Sequence, residues 1–213
     1  MYRIILIVTF IVIFYLIVQG LKKNGLKIAD LFDFFSKGFN NSLALFKGKN
    51  RDKANTGAVR SLFMNITWAL FLLMALSAML PVMITGEHLE DIFLVIHVTI
   101  APFFVISLMI TVLLMIERNT FNLNDWNFIK DLFSGDKKQK AEGNATWLKI
   151  LTWVFVIASV PAASSILASM YPIFGSEGQA VMLIVHQYSV LTLLLSGSGL
   201  FYFNFLESRK GNG

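Results

Sequence analysis

The sequence predicts an all-α membrane protein with five transmembrane helices. Three observations carry this. Of 213 residues, 56% are apolar and only 15% charged. The mean hydropathy is +0.67. The charges avoid five apolar runs, each long enough to cross ~30 Å of hydrocarbon at ~1.5 Å rise per residue. The runs fall at about 3–19, 62–85, 92–116, 150–171 and 179–206. Disordered, collagen-like and disulfide-rich secreted classes are excluded by this composition. There is no cysteine, so thiolate-held zinc, iron–sulfur clusters and covalent haem attachment through C-x-x-C-H are excluded too.

The first run, 1–20 with its flanks, reads as a retained span rather than a leader. Arg3 alone precedes it, no small-x-small pattern follows, and Lys22 and Lys23 come directly after. Lys and Arg are strongly partitioned: residues 20–60 carry nine, 117–149 carry six, the tail after 206 carries two, and Arg3 stands by itself. The short turns at 86–91 and 172–178 hold Glu87, Glu90, Asp91 and Glu177 instead. The positive-inside rule then places the N-terminus outside, both long basic loops inside, and the C-terminus inside, in the cytoplasmic (inner) membrane. The net charge of +5 is thus the signature of loops facing anionic lipid, and no nucleic-acid partner is expected. Within the basic loop 21–60, Leu31, Phe34, Phe35 and Phe39 recur at helical spacing. Trp126, Phe128, Ile129, Leu132 and Phe133 do so in the second loop. Both stretches are expected to lie as amphipathic helices along the cytoplasmic interface, in contact with lipid. No internal repeat and no low-complexity linker is visible, and residues 208–213 are expected to form a disordered tail.

The histidines are His88, His97 and His186. His88 falls in an acidic turn and reads as a solvated residue, whereas His97 and His186 lie inside apolar spans, where an ionisable ring is costly and marks a functional candidate. Measured from the outer end of each apolar run, they lie ~8 Å and ~10 Å deep. Two imidazoles at similar depth, with no Cys or carboxylate beside them, supply too few ligands for zinc. A haem brings four equatorial nitrogens of its own, so one non-covalent haem b, with His97 and His186 as axial iron ligands, fits the donors available. Small residues near them, Ala101, Ser189 and Val190, suit the approach of a flat macrocycle. Thr99 and Tyr188 are the polar groups expected to tune it. The competing reading is that each ring hydrogen-bonds a carbonyl or hydroxyl of a neighbouring helix.

Several short features recur in one order: Arg60 and then Thr67-Trp68-Ala69, Thr85-Gly86, Ile96-His97 with Ala101, Asp125-Trp126 to Asp131-Leu132, Gly143-Asn144-Ala145 with Lys149 and Trp153, and His186. In this order residues 58–207 resemble the four-helix cytochrome b (gamma) subunits of membrane-bound formate dehydrogenases and related hydrogenases. The resemblance implies a four-helix haem-binding bundle over 61–207, plus one extra N-terminal helix. In that family two haems stack across the membrane, and His97 and His186 match the ligands of the outer one. The inner haem needs a His where this chain has Thr67, and another where it has Gly199-Leu200-Phe201, so one haem rather than two is expected.

The implied function is electron transfer between the quinone pool and an outer (periplasmic) redox partner of iron–sulfur or cytochrome c type. The chain would be a subunit of a hetero-oligomeric respiratory oxidoreductase complex, with quinone as a candidate second ligand. No acid/base pair, nucleophile elbow or P-loop is present, so no catalytic residue is expected. Gly197 and Gly199 lie in an apolar run and suit close helix packing. Two other classes compete: a haem-free membrane anchor for peripheral redox subunits, and a small transporter. The transporter is disfavoured by the lack of Asp, Glu, Lys or Arg at the centre of any span.

Overall fold

A computed structural model describes residues 2–46, 56–84, 86, 90–134, 143–169 and 174–210. The described residues are helical almost throughout: α1 (Tyr2–Lys23), α2 (Ile28–Phe46), α3 (Thr56–Ile84), α4 (Asp91–Met115), a 3-10 turn (Ile116–Asn119), α5 (Leu123–Ser134), α6 (Gly143–Ser169) and α7 (Gly175–Lys210). Five of these are long and apolar enough to span a membrane: Tyr2–Lys23, Val59–Ile84, Asp91–Asn119, Ala145–Ser169 and Gly175–Glu207. The all-α membrane architecture expected from composition is therefore present. The helices α1, α3, α6 and α7 extend several residues beyond one or both ends of their apolar runs, because helical hydrogen bonding continues into the polar flanks where hydropathy has already fallen; α4 matches its run to within one residue. At 36 residues, α7 is ~54 Å long, well beyond the hydrocarbon thickness. It includes residues 208–210 of the segment expected to be a disordered tail.

The chain divides into two compact units, Met1–Ile116 and Glu117–Gly213. The boundary falls inside the segment expected to form one four-helix bundle, and each unit is organised around one antiparallel helix pair.

In the first unit, α3 and α4 pair along their lengths. Near one end Arg60 Nε donates to the Leu114 carbonyl at 2.9 Å, neutralising part of the negative end of α4. Midway, the Thr67 hydroxyl lies 2.7 Å from that of Ser107 and 2.8 Å from that of Thr111, all three buried. Such hydroxyl pairs are effective between spans, since lipid offers them no other partner. Phe71 and Phe104 stack beside them, with centroids 6.0 Å apart.

The N-terminal helix joins this unit at the opposite end. Arg3 Nη2 donates to the carbonyls of Met83 at 2.9 Å and Ile84 at 3.4 Å, capping α3 as Arg60 caps α4. Gly86, at φ +78°, closes α3 in the left-handed conformation, with its N–H on the Val82 carbonyl at 3.1 Å. Its missing side chain leaves room for the Arg3 guanidinium. Leu6 and Leu21 are buried, whereas Ile4, Ile11, Phe14 and Leu16 face outward, the lipid-facing pattern of a peripheral span. Gly25, at φ +69°, then turns the chain into α2, with Leu26 N–H on the Leu21 carbonyl at 2.9 Å.

In the second unit, α5 is fastened to α6 by a buried acid. Asn122 and Asp125 form a reciprocal cap: Asp125 N–H donates to Asn122 Oδ1 at 2.9 Å, and Asn122 N–H donates to Asp125 Oδ2 at 2.8 Å. The carboxylate also accepts from Thr146 Oγ1 at 2.7 Å and Lys149 Nζ at 2.6 Å. Trp153 Nε1 donates to the Asn119 carbonyl at 2.9 Å. Leu123, Trp126, Leu132 and Phe133 are exposed on α5, so α5 has the amphipathic form expected of it. The α2 helix likewise covers the first expected stretch, with Ile28 and Phe32 exposed. Along α6 and α7, Gly199 brings the α7 backbone against Leu151, whose Cδ1 lies 2.9 Å from where a Cβ would be.

Burial raises the Asp125 carboxyl, but the backbone N–H of Asn122 and the bonds from Lys149 and Thr146 outweigh it and hold the group below the ordinary carboxylate range. A carboxyl depressed in the folded state stabilises fully above its unfolded value of about 3.9, and the contribution is lost as pH falls through the lower folded value. Asp125→Ala, which strands Lys149 and Thr146, is expected to cost about 3 kcal/mol. The cost should appear as faster amide exchange in α5 at neutral pH, with the difference from wild type vanishing in strong acid. Unchanged exchange in the variant would refute the tether. Gly86→Ala, strained at positive φ and pressing on Arg3, should lose about 1–2 kcal/mol, read as a lower midpoint of thermal unfolding in detergent.

Candidate functional site

His97 and His186 sit on the second helix of each antiparallel pair, and their surroundings are alike. In the first unit, His97 Nδ1 lies 3.2 Å from the Met74 carbonyl oxygen on α3 and 3.2 Å from Ser77 Oγ. Ser77, three residues beyond Met74, donates its own hydroxyl to the same carbonyl at 3.0 Å. In the second unit, His186 Nδ1 lies 2.7 Å from the Ala162 carbonyl oxygen on α6. Ser165, again three residues on, donates to that carbonyl at 3.3 Å. Both serines are buried, at 6% and 2% exposure, while both imidazoles are half-buried.

A carbonyl oxygen only accepts, so Nδ1 must carry the proton in each ring. In the neutral imidazole the lone pair then falls on Nε2, the tautomer in which a histidine binds iron or zinc through Nε2 while its other nitrogen is held by a backbone carbonyl. The competing reading, a hydrogen bond to a neighbouring helix, is therefore present in both units. It does not compete for the atom that ligation requires.

The two clasps differ in strength. His186 gives its proton to one acceptor at short distance, whereas His97 shares its proton between a carbonyl and a hydroxyl at longer distances, which makes each contact weaker. Their depths along the helices also differ more than the apolar runs suggest. His97 is six residues beyond the start of α4 at Asp91, ~9 Å, and His186 eleven beyond the start of α7 at Gly175, ~16 Å. The discrepancy arises because α7 begins in the polar segment containing Ser176 and Glu177, ahead of the hydropathic boundary.

Thr99 and Tyr188, expected to tune the site, are exposed on their helices. The polar atoms on the imidazoles come instead from Met74, Ser77 and Ala162. Sequence reasoning missed Ser77 and Ser165, although a signal exists: Leu94-Val95-Ile96-His97 and Leu183-Ile184-Val185-His186 echo each other, and Thr67-Trp68 and Thr152-Trp153 precede them on the partner helices. The two threonines also bond alike, to the carbonyls of Phe63 at 2.9 Å and Leu148 at 2.7 Å. The echo stops there: seven residues separate Thr67 from Met74 and ten separate Thr152 from Ala162, so the stretches do not form a repeat in register.

Where the inner-haem ligands would stand, Thr67 is engaged with Ser107 and Thr111, and Gly199 packs on Leu151. His88 lies outside the described residues. Among the described residues no group of three or more His, Cys, Asp or Glu is arranged to hold a metal ion. Comparison with models of known protein families, with curated proteins and with solved structures gives no match.

Proposed function

We propose that the chain is an integral membrane b-type cytochrome with His97 and His186 as the axial ligands of one non-covalent haem. It would pass electrons between the quinone pool and a redox protein on the outer side, as one subunit of a hetero-oligomeric respiratory complex in the cytoplasmic membrane, with its N-terminus outside. The observation that supports this most is the recurrence of the Nδ1–carbonyl bond in both units. Two intramembrane imidazoles are held in the same tautomer, each with its Nε2 lone pair as the coordinating atom.

The donor set fits a haem, since two imidazoles without sulfur or carboxylate supply the two ligands that an iron porphyrin lacks. When bound, that group supplies a one-electron couple. The chain contributes the rest: Met74 and Ala162 orient the rings, their carbonyls raise ligand basicity, and the surrounding apolar side chains exclude water.

The same bonds favour a second reading, a haem-free anchor in which the imidazoles serve only to tie helix to helix. A reduced-minus-oxidised absorption spectrum of protein purified from haem-replete cells separates the two. The cytochrome reading expects a b-type alpha band that is lost in both His97→Ala and His186→Ala. Wild-type protein without the band, with monodisperse behaviour retained, would leave the anchor.

A further inference from the structure

We propose that Ser77 and Ser165 are positioning residues for the two histidines: the carbonyls of Met74 and Ala162 fix each ring as a single Nδ1–H tautomer, and each serine, by bonding to that carbonyl, sets how strongly the ring proton is drawn away. The tautomer lock stands on geometry alone; its effect on an iron rests on the cytochrome reading above.

Each serine is buried one turn beyond a carbonyl and bonds back to it. In an apolar helix a serine ordinarily folds its hydroxyl onto its own backbone and does no more. Here the carbonyl that receives the hydroxyl also receives an imidazole proton from the partner helix, and this happens twice, at separations of 23 and 24 residues. A carbonyl accepting a hydroxyl proton has less electron density to offer the imidazole. The serine therefore moderates the imidazolate character that the carbonyl would otherwise induce. At His97 the serine has a second action, because its oxygen lies 3.2 Å from Nδ1 and shares the ring proton. At His186 the carbonyl is the acceptor, at 2.7 Å. The arrangement gives His186 the shorter, undivided bond to a carbonyl and His97 the longer, shared one.

The consequences are opposed in a way that can be read. Ser165→Ala removes only the competing donor, so the Ala162 carbonyl draws harder on His186. Ser77→Ala removes a competing donor and an acceptor together, so its two effects on His97 partly cancel and the ring loses one of the two contacts that hold it.

The test uses the full chain in detergent with nitrogen-15 in the histidine rings. Without haem, nitrogen NMR of wild type should show two rings as fixed Nδ1–H tautomers, assigned by His97→Gln and His186→Gln. Ser77→Ala, which leaves the accepting Met74 carbonyl in place, should keep His97 in the Nδ1–H tautomer while moving its Nδ1 signal, and Ser77→Thr should restore the wild-type position. Ser165→Ala should shift His186 Nδ1 further toward imidazolate while its tautomer persists. Wild-type rings in the Nε2–H form, or signals unmoved in both alanine variants, overturn the proposal. Where haem is present, Ser165→Ala should lower the midpoint potential, and by more than Ser77→Ala; equal or reversed shifts overturn the moderating role. Absence of a haem spectrum from every variant defeats the cytochrome reading but leaves the NMR result to decide the tautomer lock.

Discussion

The hydrogen bond from imidazole Nδ1 to a backbone carbonyl one helix away is the interaction on which the functional reading depends. An imidazole inside an apolar span exposes two polar nitrogens to a medium that can satisfy neither. For Nδ1 the chain uses an atom already present, the second lone pair of a helical carbonyl. The choice has a chemical consequence, because it dictates which nitrogen bears the proton and aims the other along a defined direction. A side-chain hydroxyl as sole partner would leave the tautomer undecided, since it can both donate and accept. At His97 a hydroxyl is present, but the Met74 carbonyl beside it removes the ambiguity.

Holding such a bond to within a few tenths of an ångström requires the helices beneath it to keep their register, and the first unit does so by polar contacts at three levels. Arg60 meets the end of α4, the Thr67 group joins α3 and α4 midway, and Arg3 meets the end of α3. Hydrophobic burial gives little discrimination between registers in lipid, where the side chains are apolar on every side. Hydroxyls and guanidinium groups discriminate because a one-residue slip would strand them. Among the described residues, no buried side-chain nitrogen or oxygen lacks a partner.

How much of this could be read from the sequence follows from which features are local. The spans were legible because hydropathy is a property of contiguous residues. The amphipathic α2 and α5 were legible because their apolar positions recur at helical spacing. His97 and His186 stood out because an ionisable ring in a long apolar run is conspicuous without knowledge of its neighbours. Ser77 and Ser165 did not stand out, since a serine among apolar residues is equally an ordinary small packing residue. Their role depends on a carbonyl on the same helix and a histidine more than twenty residues away. The capping by Arg3 was hidden for the same reason: its partners lie 80 and 81 residues along the chain. The start of α7 at Gly175, four residues before the apolar run expected from 179, was not legible because a hydropathic boundary is not a helix boundary.

Position 67 shows how a polar side chain is accommodated between two apolar spans. A buried hydroxyl facing nothing, or an unfilled space beside it, would cost stability. Thr67 instead meets two hydroxyls of α4 at 2.7 and 2.8 Å while bonding its own helix through the Phe63 carbonyl. Thr152 on α6 bonds its own helix in the same way, through the Leu148 carbonyl. Position 67 thus serves helix packing in the first unit, where its hydroxyl ties α3 to α4.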